Sequence, residues 1–239
     1  MDTHESGHEG DHVQIKPFNI KTNPQLIPPL IKCYQNVFAS KPWSEWKKCP
    51  NCGNGKRWGI EEKNLLESNK YVCDSCGTEV VDYWPVSEVE ENLLLEIKEN
   101  ASASLAFNNN EVIGFCWGYE IAIKDLEKDL EIDFSQQLTE HFGSQLNVIY
   151  QSEMGIEKIF RGKKIASELF QKRHEDFLKF SADVTTIRAR KFPEPSITYL
   201  WFTQKYNYIP VAEYPGSDGR VILAQKLDEI SKIIKNKTR

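Results

Sequence analysis

Residues 147–170, NVIYQSEMGIEKIFRGKKIASELF, decide how this chain is expected to fold. An apolar strand runs into a short basic turn, and the turn opens directly into an amphipathic helix. Backbone N–H groups at a helix start have no partner within the helix, and the helix dipole favours negative charge at the same point. Arg161, Lys163 and Lys164 add positive side chains there. The sequence therefore predicts a turn that holds a phosphate group. A solvated basic helix start without a ligand would fit the same residues.

The turn resembles the acyl-CoA signature of the GNAT superfamily of N-acetyltransferases, whose pattern is Arg/Gln-x-x-Gly-x-Gly/Ala after a central strand. Arg161 stands at the first position and Ala166 at the last, where a small residue lets the helix start lie close to a pyrophosphate. Lys164 departs from the pattern, because the family usually has glycine there. A lysine must either adopt a positive φ, which non-glycine residues seldom do, or keep ordinary helical angles. The flanking residues 152–156 and 168–170 also resemble the family.

The overall composition disfavours several classes of protein. The chain has 239 residues, 40% of them hydrophobic, which suffices for one large domain or a domain with an insertion. Its formal net charge of −5 argues against a general nucleic-acid binder, which usually presents a basic face. No apolar run approaches the roughly 20 residues of a membrane span. The N-terminus is polar and acidic, so we expect no signal peptide.

Four of the six cysteines form two matching C-x-x-C-G turns. Two pairs at this spacing are typical of a zinc ribbon, in which each turn presents two thiolates to one metal. Four thiolates leave no coordination position for water, so the Zn²⁺ is expected to be structural. A redox pair and a ribbon without its metal are the alternatives. Cysteine pairs of this kind also indicate a reducing compartment, so we predict a cytoplasmic protein. The predicted ligands are Cys49, Cys52, Cys73 and Cys76.

The remaining sequence indicates alternating strands and helices. We expect a helix capped by Ser87, with Glu90 three residues later completing a capping box. A hairpin is expected around 108–111, and a charged, weakly helical insertion at 124–146. The alternation predicts an α/β fold with one mixed central sheet and helices on both faces. The other expected elements are strands at 12–20, 147–157, 183–190, 207–213 and 219–226, and helices after Asn23, at 163–180, at 195–206 and at the C-terminus.

This order of elements resembles the GNAT layout over most of the chain. The resemblance implies an acetyltransferase domain at 12–228, with the zinc ribbon inserted at 47–82. Residues 1–11 are expected to be disordered, and residues 229–239 to form a helical tail. The prediction is therefore a GNAT-like mixed central sheet flanked by helices, with a small zinc-ribbon insertion.

The resemblance also implies where acetyl-CoA, the co-substrate, would bind. It would lie between the strand that ends near Ile156 and the neighbouring strand that starts near Val184. Backbone groups at the end of the first strand would pair with the pantetheine arm, and amides of the turn would hold the pyrophosphate. The residues implied are Ile156, Glu157, Lys158, Arg161, Gly162, Lys163, Lys164, Ile165 and Ala166.

Catalysis by direct attack of an amine on the thioester needs a base or a water chain to remove a proton. Glu153, on the central strand, is the candidate base; the alternative is a strand carboxylate paired with a nearby Lys or Arg. In the family a helix tyrosine often protonates the leaving thiolate, but Thr203 occupies its usual position. Tyr206 and Tyr199 are the neighbouring candidates, and the thiolate could also leave unassisted. His174 is expected at the surface.

Two functions of different classes fit the sequence. The first is an N-acetyltransferase that acts on a primary amine of a small molecule or a protein and carries a structural zinc. The second is a zinc-ribbon adaptor that binds a protein partner, on a non-catalytic acetyltransferase-like scaffold. Lys164 and Thr203 favour the second, and the strand-turn-helix with Ala166 favours the first. Acidic residues at 125–133 either attract a polycationic amine or form a solvated helix face. The identity of the acceptor and a homodimeric state are left open.

Overall fold

The computed structural model describes residues 13–52, 56–216 and 219–237, so the expected disorder of residues 1–11 lies outside the described part. None of the described helices has the length and apolar composition that a membrane span requires.

Short 3-10 turns occupy Pro24–Leu26, Ile60–Glu62 and Lys158–Phe160. The strands are β1 (Val13–Pro17), β2 (Lys47–Lys48), β3 (Arg57–Trp58), β4 (Val81–Asp82), β5 (Ala101–Asn108), β6 (Glu111–Ala122), β7 (Asn147–Ile156), β8 (Val184–Arg190), β9 (Ile209–Glu213) and β10 (Arg220–Lys226). The helices are α1 (Ile27–Ala39), α2 (Lys63–Ser68), α3 (Val86–Glu96), α4 (Ile123–Leu130), α5 (Ser135–Phe142), α6 (Ile165–Phe177), α7 (Ile197–Tyr206) and α8 (Leu227–Lys237).

Seven strands form one mixed sheet in the order β1-β5-β6-β7-β8-β10-β9, which confirms the predicted fold class. The central pair β7–β8 is parallel, whereas the other neighbours are antiparallel. Pairing between β7 and β8 covers only Ile149 opposite Thr185 and Tyr150 opposite Thr186. Beyond these positions β7 continues along β6 and β8 continues along β10. The two strands therefore separate, and a wedge-shaped opening forms within the sheet.

A β-bulge in β7 marks the point of separation. Trp117 lies opposite Glu153, but Tyr119 lies opposite Tyr150, so two residues of β7 face Gly118 alone. Only glycine fits at this position. A Cβ on Gly118 would lie 2.6 Å from the Tyr150 carbonyl oxygen and 2.7 Å from a phenylalanine ring of α6. The bulge and the close approach of α6 thus both require glycine at position 118.

Helices cover both faces of the sheet. On one face, α1 and α3 pack over β5 and β6, and α4 and α5 pack over the other half. On the opposite face, α6, α7 and α8 pack over the centre. Consecutive strand residues alternate between these layers, as Val148 and Ile149 do. Glu153 lies opposite Trp117 and so shares its face, the side of α1 and α3.

Two of the local predictions are wrong. Ser87 does not cap α3, because the helix starts at Val86 after Pro85 and has no side-chain cap. His174 is not at the surface. It is only 4% exposed, and its Nε2 lies 2.8 Å from Ser231 Oγ on α8. Burial lowers its pKa to about 4. The face of α6 that seemed exposed is covered by the C-terminal helix.

The segment from β2 to β4 forms a second, three-stranded sheet in the order β3-β2-β4. Its small core contains Trp58, Leu66 and Val80 together with two of the cysteines. An ion pair between Glu61 and Lys158, with an O–N distance of 2.9 Å, attaches this segment to the turn that follows β7. We refer to residues 47–82 as the ribbon.

Candidate functional site: the opening between β7 and β8

The opening between the two central strands is part of a cavity of about 980 Å³. Residues 154–156 of β7 and 188–190 of β8 form two of its walls. The start of α6, around residues 160–166, and the start of α7, at 196–198, form two more. The cavity thus has room for an extended ligand between two strands and two helix starts. Its remaining lining residues are Pro42, Trp43, Glu45, Arg57 and Arg220.

Strand β7 presents a backbone edge to this cavity. The Glu157 N–H donates to the Ile113 carbonyl on β6, with an N–O distance of 2.9 Å. Successive residues of a strand direct their backbone groups to opposite sides. Gly155 therefore faces β6 as well, whereas Met154 and Ile156 direct their backbone groups away from β6, toward the cavity; of these, the Ile156 carbonyl accepts a hydrogen bond from Arg161. This edge can pair with an amide-containing ligand as an added strand would.

Glu157 and Lys158, two of the residues implied to bind acetyl-CoA, lie outside the cavity. They line a second cavity of about 480 Å³ between α1 and the ribbon. Glu157 accepts a hydrogen bond from Asn36 Nδ2 at 2.8 Å, and Lys158 pairs with Glu61. The structure therefore does not bring them to the opening. Met154, which the sequence analysis did not count among these residues, lines the opening instead.

The basic turn adopts left-handed backbone angles at two positions. Gly162 has φ of 83°, and Lys164, which precedes the first residue of α6, has φ of 66° and ψ of −2°. Lysine thus takes the conformation that glycine would adopt without strain. The Lys164 carbonyl accepts the first helical hydrogen bonds. The N–H groups of Ile165 and Ala166 precede these bonds and point out of the helix start.

Arg161 does not direct its guanidinium group into the turn. Its Nε donates to the Ile156 carbonyl at 2.9 Å, and its Nη1 donates to the Lys41 carbonyl at 2.7 Å. Its Nη2 donates to Ser40 Oγ at 2.9 Å, and the group lies 5.4 Å from the ring centroid of Trp43. Arg161 therefore connects the end of α1 to the end of β7, and its side-chain charge is not aimed at a phosphate as the sequence suggested.

Glu153 lies beside the bulge and has a strongly shifted pKa. Its pKa is raised to about 8, chiefly by burial and next by the nearby charge of Glu96. Arg188 lowers the pKa, Glu45 raises it, and Arg173 lowers it. Glu45 and Arg188 line the cavity, so Glu153 lies within electrostatic reach of the cavity wall. A carboxyl with a pKa of about 8 can accept a proton near neutral pH.

Two further carboxylates lie near Glu153, and no sequence pattern indicated Glu96. Glu96 accepts hydrogen bonds from Trp117 Nε1 at 2.5 Å and from Ser152 Oγ at 2.7 Å. Glu45 pairs with Arg57 Nη1 at 2.9 Å. Because Arg57 belongs to β3, the ribbon contributes a side chain to the cavity wall. These contacts join segments that are far apart in the chain, and no local sequence motif predicts them.

No protein-family model and no curated protein matches the sequence. Solved structures do match it. A putative acetyltransferase of the GNAT family from Desulfovibrio desulfuricans aligns with a TM-score of 0.51 at 8% identity, covering 90% of this chain and 99% of that chain. The PaiA N-acetyltransferase from Thermoplasma acidophilum, in complex with coenzyme A, aligns with a TM-score of 0.50 at 12% identity and the same coverage. FeeM, an N-acyl amino acid synthase from uncultured soil microbes, gives 0.50 at 10% identity, covering 92% and 94%.

The chain has the GNAT fold. The similarity spans both halves of the sheet, as the resemblance of the central turn implied. At these identities it establishes the architecture, and the chemistry of the site is argued from the residues themselves.

Neither candidate tyrosine reaches the cavity of this GNAT fold. Tyr206 is 4% exposed, and its ring packs against Phe170 at a centroid distance of 4.3 Å. Burial raises the pKa of Tyr206 to about 12. Tyr199 directly follows the lining residues 196–198, and its ring packs against the same aromatic cluster. Among the residues that the structure describes, no tyrosine lines the cavity.

The four predicted metal ligands come together in the ribbon. Their Sγ atoms all lie within 4.8 Å of one another. The Cys49 and Cys76 sulfurs are 3.4 Å apart, and those of Cys52 and Cys73 are 3.9 Å apart. These distances exceed a disulfide bond of about 2.05 Å. They fit a tetrahedral Zn²⁺, whose bonds of about 2.3 Å place the sulfurs about 3.8 Å apart.

The left-handed angle at Lys164 leads to a stability prediction. We expect Lys164→Gly to raise the free energy of unfolding by about 0.5–1 kcal/mol, because left-handed geometry costs a non-glycine residue about 1–2 kcal/mol and the chain entropy of glycine offsets part of that gain. Lys163→Gly is the matched control, since Lys163 is not among the described non-glycine residues with positive φ. That control should lower the stability. Urea denaturation measures both, and equal destabilisation would contradict the left-handed geometry.

Proposed function

We propose that this protein is an N-acetyltransferase that transfers the acetyl group of acetyl-CoA to a primary amine by direct attack. The cavity between β7 and β8 is the observation that carries the proposal. It combines a helix start with outward N–H groups, a strand edge, and a nearby carboxyl with a raised pKa. The GNAT fold supports the same activity.

The residues of the cavity suit the parts of acetyl-CoA. The N–H groups of Ile165 and Ala166, together with the turn from Gly162, would hold the pyrophosphate at the start of α6. The backbone of Met154 and Ile156 would pair with the amides of the pantetheine arm. This arrangement keeps the helix-turn part of the implied acetyl-CoA site. In this proposal Met154 binds the pantetheine arm in place of Glu157 and Lys158. Arg161 binds no phosphate and instead holds the cavity wall together by joining α1 to β7.

The reaction then requires three changes at the thioester. Ionised Glu153 accepts a proton from the acceptor ammonium, so that the neutral amine can attack the carbonyl carbon. The new C–N bond forms as the carbonyl oxygen takes up negative charge, the C–S bond breaks when that oxyanion collapses, and the nitrogen gives up its extra proton to the departing thiolate. The thiol of the product has a pKa of about 8.5, so its thiolate is a fair leaving group without a dedicated acid. We therefore assign no role to Tyr206 or Tyr199.

The acceptor would approach over the face that carries Glu153. The carboxylates of Glu96 and Glu45 lie near it and favour an incoming ammonium group. Arg57 of the ribbon forms part of the same wall. The charges support a cationic amine, and both small molecules and protein amines meet this requirement.

We also propose that the four cysteines bind one structural Zn²⁺. The closed set of four thiolates, with no position for water, supports a structural role. Cys49 directly follows β2, and its N–H donates to the Lys56 carbonyl at 3.0 Å. The metal would therefore fix the pairing of β2 with β3, the strand that carries Arg57.

Calorimetric titration with acetyl-CoA tests the proposed function. We expect micromolar binding to the wild type, weakened by about 30-fold or more in Ala166→Tyr, whose side chain would fill the cavity at the helix start. Glu168→Tyr, an exposed position on the same helix start and outside the lining, is the matched control. Arg161→Ala is a poor probe, because it removes the connection between α1 and β7.

A folded wild type that binds no acetyl-CoA would remove the enzyme proposal. The ribbon adaptor on a non-catalytic scaffold would then be the reading to pursue.

The raised pKa of Glu153 predicts a pH dependence. Only the ionised carboxylate accepts a proton, so kcat/KM should be low below pH 7 and rise with pH through the pKa of about 8. Glu153→Gln should lower kcat by about 100-fold and abolish this rise. Glu111→Gln, an exposed carboxylate in the β5–β6 hairpin, should change neither. An unchanged pH profile in Glu153→Gln would show that another group is the base.

Metal analysis tests the zinc site. We expect one zinc atom per chain in the purified protein and almost none in Cys73→Ala, with faster proteolysis within residues 47–82 because the small ribbon core does not suffice alone. Cys33→Ala, a buried cysteine outside the ribbon, should retain the metal. Full proteolytic resistance of the metal-free ribbon would contradict a structural role.

A further inference from the structure

Arg173 on α6 is an unusual buried charge. The residue is 1% exposed, and its three hydrogen bonds all go to neutral oxygens. Nη1 donates to the carbonyls of Trp117 at 3.1 Å and Glu153 at 3.0 Å, and Nη2 donates to Gln151 Oε1 at 2.6 Å. Burying a cation away from a paired anion is costly, so its position needs a reason.

Aromatic rings of the same helix fix the guanidinium group in place. Its central carbon lies 5.9 Å from the ring centroid of Phe170 and 5.7 Å from that of Phe177. These residues precede and follow Arg173 by about one helical turn. The group is thus aimed from α6 into the sheet with little freedom to move.

The target of Arg173 is the bulge at which β7 leaves β8. Trp117 and Glu153 lie opposite each other on β6 and β7, and Gln151 lies within the bulge. The Gln151 Nε2 donates in turn to Thr185 Oγ1 at 2.9 Å and to the Tyr208 hydroxyl at 2.6 Å. One buried network therefore joins three strands and α6 at the origin of the cavity.

The contact with Glu153 determines where the next N–H group points. The carbonyl of Glu153 and the N–H of Met154 belong to one planar trans peptide group, so they point in opposite directions. Because the carbonyl is held by Arg173, the N–H of Met154 points toward the cavity. A cation on the carbonyl oxygen also polarises the peptide and strengthens its N–H as a donor.

We propose that Arg173 is a positioning residue for acetyl transfer. It orients and polarises the peptide between Glu153 and Met154, so that the Met154 N–H donates to the oxyanion that forms when the amine attacks the thioester carbonyl. The C–N bond forms as the carbonyl electron pair moves to oxygen, and the oxyanion then expels the thiolate. The inference rests on the proposed acetyltransferase function.

Two substitutions at Arg173 and one control test the proposal. Arg173→Gln removes the charge, and we expect kcat to fall by about 100-fold, the size expected for loss of an oxyanion donor. Acetyl-CoA affinity should change by less than about threefold, because the donor acts on charge that develops in the transition state. Arg173→Lys keeps the charge but cannot bridge three acceptors, so kcat should fall by about tenfold.

His174→Gln is the matched control, since it removes a buried hydrogen bond from the next residue of α6. Its kcat should stay near that of the wild type.

The split between kcat and acetyl-CoA affinity separates positioning from mere structural support, and the pH profile reports the charge. Glu153 lies within electrostatic reach of Glu96, Arg188, Glu45 and Arg173, and the charge of Arg173 lowers its pKa. Loss of that charge should move the rise of kcat/KM to higher pH in Arg173→Gln, but not in Arg173→Lys or His174→Gln. A shifted profile with an unchanged kcat at its plateau would show that Arg173 acts only on Glu153 and would overturn the proposal.

The outcomes distinguish failure of the Arg173 proposal from failure of the proposed acetyltransferase function. A folded Arg173→Gln protein with wild-type kcat overturns the inference, and so does a proportional loss of kcat and acetyl-CoA affinity. If Arg173→Gln does not fold, Arg173→Lys decides, and an unchanged kcat in that variant overturns the proposal. A wild type that neither binds nor consumes acetyl-CoA instead overturns the proposed function.

Discussion

The separation of β7 from β8 is the constraint on which the rest of this structure depends. Parallel strands normally share hydrogen bonds along their length, yet here the pairing ends after Tyr150 and Thr186. The backbone of Met154 and Ile156 is left with an edge that faces a cavity. Gly118 permits the bulge at which separation starts, because any side chain there would collide with β7 and α6. The cavity thus originates in the sheet, and the helices only complete its walls.

The walls come from two kinds of segment. Strand β7, the turn and α6 follow one another in the chain, so a short contiguous sequence builds the side of the cavity that contains a helix start. The opposite side contains Glu45 and Arg57, which lie on separate elements and pair with each other. Arg161 joins the two sides through carbonyls of both α1 and β7. Through these hydrogen bonds, the turn beside the cavity also fixes the segment that leads from α1 into the ribbon.

Sequence patterns predicted the features that neighbouring residues determine. They missed the features that depend on contacts between residues far apart in the chain. The strand-turn-helix and the four cysteines follow from local spacing, and both were identified. The sequence left the conformation of Lys164 undecided. The free-energy cost of left-handed backbone angles at one residue is small compared with the tertiary packing that imposes them. The direction of Arg161 depends on carbonyls about 120 residues away in sequence. That Met154 rather than Glu157 lines the cavity depends on which side of β7 each residue faces, and a strand boundary read from sequence does not fix this.

The contribution of Arg57 to the cavity wall has a consequence for how this protein could diversify. The ribbon is an insertion with its own sheet and its own small core, and β7, the turn and α6 lie outside it. Substitutions in the ribbon that keep its core therefore alter the wall that Arg57 forms, while the half of the cavity built by β7 and α6 keeps its geometry. The insertion thus allows one side of the cavity to change independently of the other.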